Sequence, residues 1–105
     1  MATVELQSLV TELRRAARTV RAQTRFERDV VRHVLVVSLT ADFRTATVDP
    51  EGLAAIRAWT EALEAVDVGD LDLLQELLYG LDALVRVHLW REAHLPLETP
   101  ATTQI

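Results

Sequence analysis

Six arginines, Arg14, Arg18, Arg21, Arg25, Arg28 and Arg32, recur every three or four residues in RRAARTVRAQTRFERDVVRH, the segment from 14 to 33. At 100° per residue they fall within about 40° of one line if a single helix runs through them, a stripe about 27 Å long. Planar guanidiniums grip phosphates through paired, charge-assisted hydrogen bonds, so such a row is a candidate for contact with a nucleic-acid backbone. The alternative is the polar face of an amphipathic helix, solvated or paired with acids. Three features favour it: the formal net charge is -5, lysine is absent, and Phe26 is the one aromatic residue near the stripe. Residues 1–48 carry eight arginines against five acids, for +3, whereas residues 49–105 carry three against eleven, for -8. Halves of opposite sign can attract each other within a fold or between subunits.

Two further pairs could do metal chemistry. Asp29 with His33, and His88 with Glu92, are each four residues apart, which sets two donors on one helical face. Facing helices could join them into an N2O2 site. Neither pair is a Glu-x-x-His signature, however, and His88 lies on the stripe of Leu77, Leu81 and Leu84, where a hydrogen-bonded interior histidine is the commoner arrangement. No metal and no cofactor are expected. Cysteine is absent, which removes disulfides, thiolate zinc sites and cysteine nucleophiles. Serine occurs only at 8 and 38, with no suggestion of a triad, and the glycines at 52, 69 and 80 are too scattered to cradle a phosphate.

The hexapeptide Arg28-Asp29-Val30-Val31-Arg32-His33 sets an arginine, then a polar residue, three more residues and a histidine. It resembles the short active-site motif of HEPN-family ribonucleases. The resemblance implies that Arg28 and His33, doubled across a dimer, act on an RNA phosphodiester. It covers six residues only, and in that family the motif usually lies nearer the end of a longer domain. The sequence as a whole reads as no enzyme, with no catalytic residues assigned.

The elements that must position these side chains are helical. Neither glycine nor proline occurs before Pro50, and apolar residues at 6, 9, 10, 13, 16, 17 and 20 keep helical spacing. This predicts a helix over about 3–23. Thr24-Arg25-Phe26-Glu27 has the form of a capping box that would start a second helix, yet the wheel also permits one helix straight through, with Leu13, Val20, Val31, Val34 and Ser38 on one broad face. Helix is predicted over about 25–44. A β-hairpin at 34–48 is the alternative, because VVRHVLVVSL is valine-rich. Asp49-Pro50-Glu51 marks the start of a helix over about 50–66, and Val68-Gly69-Asp70 separates it from another over about 70–93. Asp82 and Arg86 read as an ordinary surface pair. The expected architecture is an all-α bundle of three or four helices, one domain over 1–94, with a flexible tail over 95–105 carrying two prolines.

Half the residues are apolar and the mean hydropathy is +0.13, high for 105 residues, since a small domain leaves much of its surface in water. Eleven of the twenty residues from Leu71 to Trp90 are Leu, Val or Trp. A face that wide predicts a central helix, or one covered by both fold and partner. The expected interface combines it with a strip of small residues: Ala55, Ala58, Trp59, Ala62, Leu74, Leu78, Leu81, Val85 and Trp90. The functional expectation is a subunit or adaptor that binds a protein partner, as a homo-oligomer or within a larger assembly. Nucleic-acid binding by the arginine stripe is the competing reading. No apolar run exceeds that of Val34–Val37, far short of the roughly 20 residues of a membrane helix, and MATVELQSLV carries no signal-like pattern. A cytoplasmic location without membrane contact is expected.

Overall fold

Thr24 decides the course of the first half. Its hydroxyl accepts from the Glu27 backbone N–H at 3.1 Å, and the Glu27 carboxylate accepts from the Thr24 N–H at 2.8 Å. This reciprocal capping box satisfies two amide donors that a helix start leaves open. Gln23 and Thr24 are both extended, with ψ of 154° and 165°, so the chain breaks there. In the computed structural model, residues 4–43 and 50–103 are described, with side chains over 7–43 and 50–91. Helix α1, Val4–Thr19, tightens into a 3-10 turn, Val20–Ala22, and α2 follows as Arg25–Asp42.

Helix α2 replaces most of the alternative hairpin. Val34 to Asp42 are helical, no strand occurs among the described residues, and positions 44–48 lie outside them. Leu35, Val36 and Leu39 are buried at helical spacing, and their packing outweighs the strand preference of the neighbouring valines. Helix α3, Pro50–Ala65, begins with proline at a position where a missing N–H costs nothing. Its expected cap, Asp49, lies outside the described residues. Across the turn that follows, Asp67 accepts from the Gly69 N–H at 2.9 Å, and Asp70 caps helix α4, Leu71–Thr103, by accepting from the Leu73 N–H at 3.3 Å. Helix α4 does not end at 93. Pro96 and Pro100 each remove a backbone donor but fix φ near the helical value, and the segment expected as a tail from 95 is helical as far as Thr103.

The four helices pack as a ring in which α1 lies against α4, α4 against α3, α3 against α2, and α2 against α1. The α1–α4 contact is the most extensive and the α1–α2 contact the least. Leu13, Val20, Leu39, Ile56, Leu63, Leu74, Leu81 and Val85 are fully enclosed between them. Burying a side chain of this kind is worth about 1.5–3 kcal/mol. No described helix is long and apolar enough to cross a membrane. Where α3 meets α4, the indole of Trp59 lies on Gly80 so closely that a Cβ there would sit 2.2 Å from Cζ3 of the ring.

Candidate functional site

With the break at Thr24, the arginines no longer line one solvent-facing helix. Those of α2 turn inward, toward the turn between α3 and α4. Arg28 donates from Nε to the Val68 carbonyl at 2.8 Å and from Nη1 to the Gln23 carbonyl at 2.5 Å. Arg32 donates from Nη1 to the carbonyls of Val66 at 2.6 Å and Glu64 at 3.2 Å, and from Nη2 to Asp29. The last carbonyls of a helix have no partner within it, so Arg32 closes the end of α3 from a neighbouring helix, while Arg28 ties the turn beyond α3 to the start of α2. Arg25 pairs with Asp67 at 3.0 Å, Arg21 with Asp72, and Arg14 with Asp82 at 3.5 Å. Gln75 of α4 reaches back to the Ala17 carbonyl at 2.8 Å, close to where α1 tightens into its 3-10 turn. Arg18 is exposed and makes no hydrogen bond or ion pair among the described residues.

The basic first half and acidic second half are therefore tied within one chain. Asp67 shows what the tie does to a titration. The Gly69 N–H, and then the Arg25 guanidinium, hold its carboxyl below the ordinary value of 3.8. Its pKa is lower folded than unfolded, so its contribution is fully present above that ordinary value and is lost as pH falls through the lowered one. Unfolding midpoints measured from neutral pH into acid should accordingly fall less steeply for Asp67→Asn than for the parent chain. Equal slopes would show that ionisation of Asp67 is not coupled to folding.

Asp82 is not a surface residue. It is 3% exposed and takes Arg86 as a fork, Nε to Oδ1 and Nη2 to Oδ2, both at 3.2 Å, while Arg14 of α1 approaches Oδ2. The other candidate groups do not come together among the described residues. Asp29 pairs with Arg32, and His33 is exposed on α2. His88 is buried edge-on to Phe43, ring centres 5.1 Å apart. The side chain of Glu92 lies outside the described residues, among which no three possible ligands gather. Arg28 and His33 diverge by about 140° around α2, and the Arg28 guanidinium is held by two carbonyls of its own chain.

The residues expected at an interface separate into two groups. Leu74, Leu78, Leu81 and Val85 are core, enclosed by α4's own neighbours, and offer no surface to a partner. Ala58, Ala62 and Trp90 are exposed, Ala55 and Trp59 half-buried. Tyr79 and Val87 join Trp90 on the outer side of α4.

A second apolar surface escaped the sequence reading. Phe26, Val30, Val34 and Val37 are 76%, 44%, 55% and 54% exposed, on the side of α2 opposite Leu35, Val36 and Leu39. Val34, which a continuous helix would have set on one face with Leu13 and Val20, lies in water. Beside this ridge, α1 and α2 diverge into a groove of about 710 Å³ with apolar walls from Leu9, Ala16, Val31 and Leu35 and a polar rim of Ser8, Glu12, Arg15, Thr19 and Ser38. The signal was present in the sequence: Phe26, Val30, Val34 and Val37 keep helical spacing of their own, distinct from that of Val31, Leu35 and Leu39. Comparison of the chain with protein-family models, with curated proteins and with solved structures finds no match in any of the three.

Proposed function

We propose that this chain is a non-enzymatic helical interaction module that assembles with a protein partner, as a homo-oligomer or as one subunit of a larger complex. The observation that carries the reading is the placement of Phe26, Val30, Val34 and Val37 in water on α2, with Tyr79, Val87 and Trp90 similarly placed on α4. Exposed apolar side chains clustered along a helix face are a common feature of contact sites. Of the residues expected at an interface from the sequence, the exposed Ala58, Ala62 and Trp90 support the proposal, and the four core residues of α4 do not.

A phosphate-binding arginine face is less well supported, because Arg14, Arg21, Arg25, Arg28 and Arg32 already hold carboxylates or carbonyls of their own chain. A cytoplasmic setting fits a chain without cysteine or a described membrane-length apolar helix. Mass in solution, together with nucleic-acid retention at low and moderate salt, tests these readings. A discrete assembly without retention is expected. A monomer whose retention of nucleic acid weakens steeply with salt would replace the interaction reading with the arginine face.

A further inference from the structure

We infer that the outward face of α2 and the groove beside it form a homodimer interface, with α2 packed antiparallel against α2 of a second copy about a two-fold axis near Val34. The inference rests on the interaction reading and names its partner and surface.

Shape selects a second copy. The α2 ridge and the α1–α2 groove lie side by side on one face. A two-fold axis sets the ridge of each copy over the groove of the other, and a surface that carries both halves of the fit is self-complementary.

Charge selects the same arrangement. A chain of net charge -5 repels its own copy unless the meeting face is locally neutral. At the groove's rim it is close to that, where Glu12 and Arg15 pair with each other at 3.1 Å, and along the ridge Phe26, Val30, Val34 and Val37 carry no charge while the neighbouring Glu27 carboxylate accepts from the Thr24 N–H. The antiparallel sense brings the positive N-terminal end of each α2 beside the negative C-terminal end of the other, whereas parallel packing would align like ends.

The area is also of the right order. The four ridge side chains leave roughly 400 Å² in water, about half of the 800 Å² that each partner gives to a standard interface, and the groove walls supply further apolar surface. Dissociation in the micromolar range is the expected strength.

Sedimentation velocity of the full chain over a concentration series should show a monomer–dimer equilibrium. Val30→Asp with Val34→Asp should weaken it at least about 100-fold. Both residues face water, so the helical circular dichroism should be retained. Because the chain has no cysteine, single-cysteine variants give an independent reading. Val34→Cys should form a disulfide-linked dimer under mild oxidation, and Ala62→Cys on α3 should not. A dimer that survives the double substitution, or that crosslinks through 62 and not 34, overturns the α2 placement while leaving the interaction reading intact. A parent chain monomeric at every concentration overturns the dimer itself. Should the double variant lose its helicity, the crosslinking pair decides.

Discussion

Gly80→Ala should lower the stability of the bundle by about 2–4 kcal/mol, although alanine is the better helix former by about 1 kcal/mol. The added Cβ would stand 2.2, 2.7 and 2.8 Å from Cζ3, Cη2 and Cε3 of Trp59. Three atoms of one rigid ring cannot be relieved by a flexible tip. Either the indole leaves its seat or α3 and α4 separate. Overpacking alone costs typically 1–3 kcal/mol, and losing the indole contact adds to it. A double-mutant cycle isolates the cause. In a Trp59→Ala background the clash is absent, so Gly80→Ala should become neutral or stabilise by up to about 1 kcal/mol. Urea unfolding of the four proteins measures both steps. An equal cost in both backgrounds would mean that the indole is not what Gly80 accommodates.

Helix α1 was legible from its apolar spacing, and the other three helices because their starts carry local chemistry. The Thr24 and Glu27 side chains, Pro50, and Asp70 each act on backbone groups within four residues, and the sequence displays them directly. Which way the arginines face was not legible. A wheel drawn from Arg14 to Arg32 assumes one phase, and the 3-10 turn with two extended residues resets that phase at Gln23 and Thr24. Once reset, Arg28 and Arg32 share the inward side with Leu35 and Leu39, and Val30 and Val34 take the outer one. Charge balance between the halves pointed to their attraction. It could not show that backbone carbonyls would take two of the guanidiniums, Arg32 at the end of α3 and Arg28 in the turn beyond it. The width of the apolar face on α4 was likewise visible, but only the ring of neighbours reveals that Leu74, Leu78, Leu81 and Val85 are used within the chain. Asp82 was misplaced for a related reason: an i,i+4 pair looks the same in sequence whether its acid faces water or α1.

Removing both guanidiniums from Asp82, as Arg14→Met with Arg86→Met, should cost about 3 kcal/mol, because a buried carboxylate then has neither water nor partner. The Asp82 side chain is 4% exposed, whereas those of Arg14 and Arg86 are 41% and 51% exposed. The strain of desolvation therefore falls on the acid, and the arginines lose less when it is removed. Arg86→Met should have the larger single effect, since it deletes a two-bond fork at 3.2 Å, while Arg14 contributes one longer contact at 3.5 Å. The two effects should not add, because either guanidinium alone still shields the charge. Adding Asp82→Leu to the double variant should restore most of the loss, since a buried ion set replaced by well-packed apolar side chains is often neutral or better. Chemical unfolding of this series separates two accounts of Asp82. If the triple variant remains as unstable as the double one, the carboxylate contributes by specifying how α1 seats on α4, and not merely as a charge that must be answered.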